Sequence, residues 1–299
     1  MIVVRLKGGL GNQMFQYALG RALQHRRGDQ LRLDVSYLLG HAVFDWDVPR
    51  EYALDVFRIQ AAFAYTPRLL RRVPSRQIRY PPGLILGGAE ALPRQQTFVH
   101  EKEFGFHPEV LDQTAPNLYL DGYWQSECYF AEVQDQIRRS FQFRIPLAGP
   151  GCELAQTIAS VNSVSVDVRR GDYITVESSR NTQGFVGEDY YRRGIEWIKS
   201  NIQDPHLFIS SDDLPWCREH LKFDLPTTYL EDEYAGWKFG AKLHLMTLCR
   251  HFLISNSTFA WWAAWLASYE KKLVACPQRW FFTESLSPKD LIPASWVTL

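Results

Sequence analysis

Residues 1–34 read MIVVRLKGGLGNQMFQYALGRALQHRRGDQLRLD. Residues 2–6 form a short, β-branched apolar run suited to a strand, and Gly8, Gly9 and Gly11 break it. Over residues 12–27, Met14, Tyr17, Ala18, Arg21 and Ala22 recur at helical spacing, Asn12 offers an N-terminal cap, and Gly28 supplies the stop. A second strand follows at once over 31–34. Strand, glycine turn, helix and strand make a βαβ unit, in which the helix carries the chain back so that both strands run parallel in one sheet.

Beyond this unit, residues 37–97 carry scattered prolines and a basic stretch at 68–79, and read as loops and short helices rather than regular sheet. Residues 117–124 read as a strand and 127–141 as an amphipathic helix. The segment 144–151, with Pro146, Gly149, Pro150 and Gly151, is the best linker. After it the alternation becomes regular. Strands are expected at 163–168, 206–210, 227–230, 252–255 and 272–275, and helices at 189–201, 214–221, 235–249 and 257–268. The expected fold is α/β, with two Rossmann-like, doubly wound domains (1–145 and 151–299) facing each other across a cleft and ligands at the carboxyl ends of the strands. A chain of 299 residues is long enough for two such cores.

Acidic and basic residues balance at 33 each, which removes the charge excess expected of a protein that binds nucleic acid or anionic lipid. Any phosphate site must therefore be local. The opening apolar run is too short for a signal peptide, and no stretch nears the roughly 18 apolar residues of a membrane span, so a cytoplasmic protein without a transmembrane segment is expected. Cys128, Cys152, Cys217, Cys249 and Cys276 are scattered and form no CxxC or Cys/His cluster, and are read as reduced fillers.

Four segments could carry chemistry. In GGLGNQMFQYA, residues 8–18, a glycine turn opens a helix whose N-terminus can meet a phosphate; Gly11 and Asn12 are its candidate ligands. This turn mimics a dinucleotide fingerprint ending at Asp34, but Met14 stands where that fingerprint needs its third glycine. Arg169, Arg170, Gly171, Asp172 and Tyr173 follow the strand 163–168 directly, and a guanidinium can grip a diphosphate with two parallel hydrogen bonds. In 208–213 a strand ends in Ser210, Ser211, Asp212 and Asp213, which can read ribose hydroxyls or the N–H edge of guanine, or cap a helix. In SNSTFAWWAAWL, residues 255–266, Asn256, Ser257 and Thr258 stand where a strand gives way to a helix, while Trp261, Trp262 and Trp265 read as packing. Asp45, Trp46 and Asp47 spell D-x-D, the basis of a metal-dependent alternative, but no strand precedes them.

In this order the segments resemble the α-1,2-fucosyltransferases of glycosyltransferase family 11. The pattern has GGLGNQMFQYA at the start and GYxQSxxYF in the middle (here Gly122, Tyr123, Gln125, Ser126, Tyr129 and Phe130), then HxRRGDY, SDD and SNSTFSWW. The resemblance implies a GT-B-like architecture, an acceptor-binding domain followed by a GDP-fucose-binding domain, no metal or other cofactor, and a β-galactoside acceptor fucosylated with inversion on its 2-hydroxyl. It also implies roles. Arg170, supported by Arg169, would neutralise the departing β-phosphate; Ser257 and Thr258 would add hydrogen bonds; Gly11 and Asn12 would close the site from the opposite domain. Asp172 would orient an arginine or act as base. Asp167 stands where the pattern has His, and is expected either to contact the nucleotide differently or to leave a nucleotide-sugar-binding protein with little turnover. Ser211 and Asp212 complete the donor contacts. Peripheral contact with lipid-linked glycans is the one membrane association this reading admits.

Overall fold

A computed structural model describes residues 1–41, 50–65, 90–91 and 95–299 of the chain. Asp45 and Asp47 lie outside the described residues. The chain divides into two compact units, one of residues 1–142 with 288–291, the other of residues 143–287 with 292–299. The first boundary falls just before the expected linker; the return of 288–291 to the first unit had no sequence signal.

The first unit contains β1 (Ile2–Arg5), α1 (Leu10–Arg27), β2 (Leu31–Asp34), α2 (Ser36–His41), β3 (Phe63–Tyr65), β4 (Glu90–Ala91), β5 (Thr97–His100), β6 (Leu118–Asp121) and α3 (Gln134–Ser140). Its strands pair in the order β4-β3-β2-β1-β6-β5, every pair parallel. The opening βαβ unit is as the sequence dictates. Helix α1 lies so close to the sheet that a Cβ on Gly20 would meet Leu31 Cδ1 at 2.7 Å and Val4 Cγ2 at 2.8 Å. Gly28, with φ 68°, ends the helix in the left-handed conformation, its N–H bonded to the Gln24 carbonyl. The start differs from expectation: Gly9, in extended conformation, is the cap, and Asn12 sits inside the first turn, its Oδ1 accepting from Gln125 Nε2 at 2.9 Å. Asp34, the mimic of a ribose ligand, is buried and accepts from the Tyr119 hydroxyl at 2.6 Å and the Ser36 N–H at 2.8 Å, so it serves the fold.

The second unit contains α4 (Pro150–Ser160), β7 (Asn162–Val168), α5 (Gly171–Thr175), α6 (Glu177–Thr182), α7 (Glu188–Asn201), β8 (Pro205–Ser211), α8 (Leu214–His220), β9 (Thr227–Tyr229), α9 (Gly240–Thr247), β10 (His251–Leu253), α10 (Thr258–Leu266), β11 (Val274–Cys276) and β12 (Val297–Thr298). All pairs are parallel and the order is β12-β11-β10-β7-β8-β9. The chain grows outward from β7 to β9, then returns to the other side of β7 and grows outward again, so the winding reverses between β7 and β10. That reversal opens a crevice at the carboxyl ends of the strands. Along β7, Val164, Val166 and Val168 pack with Tyr191, Ile195 and Ile198 of α7. Ser163, Ser165 and Asp167 therefore face the opposite side of the sheet.

Each unit is thus α/β with a parallel, doubly wound sheet. The departures are local. The expected helix at 127–141 is a 3-10 stretch, Glu127–Val133, kinked at Phe130 before α3 begins. The expected helix at 235–249 starts only at Gly240, because Gly236, Lys238 and Phe239 all take positive φ. The expected linker ends early because Pro150 takes the first turn of α4, where its missing N–H costs nothing. Strands β3 and β4 lie in the segment read as irregular; at three and two residues they are too short to show a period.

Candidate active site

The carboxyl ends of β7, β8 and β10 bring together most of the residues singled out in the sequence. Val168 ends β7, and Arg169 and Arg170 follow at the mouth of the crevice. The Arg169 guanidinium meets Asp172 Oδ1 at 2.5 Å and Asp212 Oδ2 at 2.8 Å. Burial works against its charge, but Asp212 and Asp172 outweigh burial and raise its pKa. Arg170 pairs through Nη1 with Asp213, and its backbone N–H donates to Asp212 Oδ1 at 2.8 Å. Its guanidinium carbon lies 4.8 Å from the Trp216 ring centroid and 5.9 Å from that of Phe185. Both arginines are thereby oriented by carboxylates and rings, while each guanidinium has more N–H groups than these partners use.

Gly171 makes this geometry accessible, since a Cβ there would meet Asp212 Oδ2 at 2.8 Å. Ser211 Oγ accepts from the Asp213 N–H at 2.9 Å, and Asp213 caps α8 by accepting from the Trp216 N–H at 3.2 Å. The Ser-Asp-Asp run therefore caps a helix and holds the arginines at once.

On the facing strand, Ser257 caps α10, its Oγ accepting from the Ala260 N–H, and Thr258 opens the helix. Asn256 is 2% exposed, and its Nδ2 faces the carbonyls of Gln183, Gly184 and Trp280 at 2.6, 3.1 and 3.0 Å. The amino end of this candidate ligand is thus committed to backbone. Its Oδ1 is buried without a partner among the described residues. Trp261, Trp262 and Trp265 are buried and pack on one another, as expected.

Asp167 is 7% exposed and accepts from the Ser255 hydroxyl across the β7–β10 seam. Burial raises its pKa from 3.8 to about 6; Asp212 adds to the rise, while Ser255, Arg169 and Lys242 oppose it. A folded-state pKa above the unfolded one means that the folded chain holds more protons between the two. The stability this group contributes is therefore full below about pH 4 and lost as pH rises through about 6. The shift corresponds to at most about 3 kcal/mol. Asp167→Asn should remove that dependence and stabilise the free protein at pH 7.5 but not at pH 4.5, as read by urea denaturation. An equal effect at both pH values would contradict a titrating, buried Asp167.

Gly11 and Asn12 belong to the first unit, at the carboxyl end of β1. That unit has its own reversal between β1 and β6, and a second polar cluster there escaped the sequence reading. Asp121, which ends β6, meets Arg5 at 2.8 Å and Lys7 at 3.1 Å, with His100 at 3.7 Å. Burial would raise the Asp121 pKa, but Lys7 and Arg5 outweigh it and hold the carboxyl below its ordinary range. Glu101 accepts from the N–H groups of Tyr123 at 2.6 Å and Trp124 at 3.0 Å, fixing Trp124 at φ 57°. The available signal was the DGYWQS run, residues 121–126, at a strand end.

Among the described residues, no group of three His, Cys, Asp or Glu side chains could hold a metal ion, and no helix is long and apolar enough to cross a membrane.

An α/β unit with oriented guanidinium groups at its topological switch point has the layout of an enzyme that handles a phosphate-bearing ligand. The chain belongs to glycosyl transferase family 11, whose family model matches residues 109–298. It is 30% identical over 302 residues to an alpha-1,2-colitosyltransferase of Escherichia coli, covering 100% of this chain and 99% of that one. It is 29% identical to the O-antigen biosynthesis glycosyltransferase WbnK of Escherichia coli, covering 98% and 99%. To galactoside alpha-(1,2)-fucosyltransferase 1 of Lagothrix lagotricha it is 29% identical, over 87% of this chain and 63% of that longer protein.

Proposed function

We propose that the protein transfers L-fucose from GDP-β-L-fucose to the 2-hydroxyl of a terminal galactoside, with inversion, giving an α-1,2-fucoside and GDP. The observation that carries this reading is the pair Arg169 and Arg170, each set by carboxylates at the switch point of the second unit. The 1,2-linkage in the names of two relatives supports it.

In this reaction the bond between fucose C1 and the β-phosphate oxygen breaks, the bond from C1 to the galactose 2-oxygen forms on the opposite face, and the hydroxyl proton is released. Negative charge grows on the leaving phosphate, and fixed donors stabilise it without reorganising. Arg170 meets that charge, Arg169 supports it, and Ser257, Thr258 and the N-terminus of α10 add hydrogen bonds. Asp172 acts by orienting Arg169, whose guanidinium its Oδ1 meets at 2.5 Å. With arginines in the role of a Lewis acid, EDTA should leave turnover unchanged. Abolition by EDTA with rescue by Mn²⁺ would point instead to Asp45 and Asp47. The reading places the reaction in the cytoplasm.

One specific observation favours a second donor: the colitosyltransferase relative matches over the whole chain. Colitose is fucose without its 3-hydroxyl, so the same phosphate site would serve. Parallel assays of GDP release from GDP-fucose and from the colitose donor, with a β-galactoside present, decide between them. A chain that binds both nucleotide sugars and releases GDP from neither would be a binding protein.

A further inference from the structure

The turn that closes β6, residues 121–124, holds a strained backbone. Trp124 takes φ 57°, in the left-handed region that a bulky side chain rarely adopts. Gly122 is required by the same turn, since a Cβ on it would meet Glu101 Cβ and Trp124 Cε2, each at 2.6 Å. The two carboxylate oxygens of Glu101 accept from the successive N–H groups of Tyr123 and Trp124 and lock the turn in place. Trp124 is thereby fully buried, edge-on to Tyr129 with ring centroids 5.8 Å apart, while Tyr123 is turned outward and is 37% exposed. Backbone strain of this kind persists only where the surroundings over-determine it, and it gathers at ligand sites.

Tyr123 stands where a ligand would enter the first unit. The winding of its sheet reverses between β1 and β6, and Lys7 and Asp121 flank that seam at the carboxyl ends of the two strands. Lys7 Nζ lies 4.6 Å from the Tyr123 ring centroid and 3.1 Å from Asp121 Oδ1, and Arg5 Nη1 lies 2.8 Å from Asp121 Oδ2. The Lys7 and Asp121 side chains both stay partly open to solvent. An ammonium has three N–H groups and a carboxylate about four lone-pair sites, so this pairing leaves donors and acceptors over. The turn therefore sets an exposed aromatic ring beside a donor and an acceptor that adjoin each other. A pyranose matches all three, because its C–H face can lie on the ring while its hydroxyls both donate and accept. In galactose the axial 4-hydroxyl stands on one face and leaves the hydrogens of C3, C4 and C5 together on the other, which makes that face apolar. A phosphate would meet the Asp121 carboxylate and gain nothing from the ring.

We propose that Tyr123 is the platform on which the acceptor sugar stacks, with Lys7 and Asp121 hydrogen-bonded to its hydroxyls. The proposal rests on the galactoside reading above and names the residues of the first unit that select the acceptor. It makes Tyr123 a specificity-determining contact, apart from the arginines that meet the phosphates.

The test is steady-state GDP release by the full chain and by its Tyr123→Ala, Tyr123→Leu and Tyr123→Phe variants, with lactose as acceptor. Saturation-transfer NMR with methyl β-D-galactopyranoside, calorimetric GDP binding and thermal melts accompany it. Tyr123→Ala should raise the acceptor KM by about 10- to 30-fold, the loss expected when an apolar sugar face no longer has a ring to cover, and should leave GDP affinity as it was. Tyr123→Leu, apolar but without a ring face, should behave like Tyr123→Ala, so the comparison survives if the alanine variant fails to fold. Tyr123→Phe, which keeps the face, should recover most of the acceptor affinity. An acceptor KM unchanged in the alanine and leucine variants would overturn the proposal. So would an equal loss of GDP and acceptor affinity, which would assign Tyr123 to the donor or to the fold. Saturation transfer to the galactoside that is lost in Tyr123→Ala, in a chain that transfers no fucose, would uphold the sugar site and remove only the reaction assigned to it.

Discussion

Arg170→Lys should lower turnover about 10³-fold, by analogy with arginine groups that stabilise phosphoryl transfer. The guanidinium holds Asp213 through Nη1 and lies 4.8 Å from the Trp216 ring, so its plane is fixed before any ligand arrives. Its remaining N–H groups can then meet a phosphate in parallel. Lysine keeps the charge, but one ammonium on a flexible stem cannot hold Asp213, stack on Trp216 and grip two phosphate oxygens together. The deficit should be greatest where leaving-group charge is greatest, so the maximal rate should fall far more than donor affinity. Steady-state GDP release and calorimetric donor binding separate the two. Activity within a few-fold of the native chain would dismiss Arg170 from the leaving group.

Asn256→Ala should cost about 3–5 kcal/mol of stability, the range expected when a buried hydrogen-bond network is broken. The Asn256 amide ties three backbone carbonyls, those of Gln183 and Gly184 after α6 and that of Trp280 after β11. The backbone carbonyl of Asn256, which an alanine would keep, accepts from the Tyr173 hydroxyl at 3.1 Å and links α5 to the same point. An alanine would leave the three carbonyls under-satisfied in a site that is 2% exposed, where water cannot replace the amide without opening the structure. Urea denaturation reads the loss directly. A change under about 1 kcal/mol would mean that the amide is not the bolt the geometry describes.

What the sequence revealed and what it hid follow from the range of the forces involved. The opening βαβ unit and the strands β7 and β8 were readable because apolar periodicity, glycine turns and caps are local, and all agreed there. The broken start of α9 was not, because positive φ at Lys238 and Phe239 has no signature in residue type. Within the site, the clustering of Arg169, Arg170, Asp172 and Asp212 was predictable from position alone, since each ends or follows a strand of one parallel sheet. The division of labour was not. That Asn256 holds backbone, that Asp172 holds Arg169, and that Asp121 gathers Arg5 and Lys7 depend on contacts between residues far apart in sequence.

The central claim is a transfer that makes an α-1,2 bond to galactose. Its most direct test is to incubate the chain with GDP-β-L-fucose and a terminal β-galactoside and to determine the linkage of the product by NMR. The account predicts one product, with fucose α-linked to the galactose 2-oxygen and one GDP released for each bond formed. Fucose attached to another hydroxyl, a β-linked product, or GDP-fucose left intact under these conditions would contradict it.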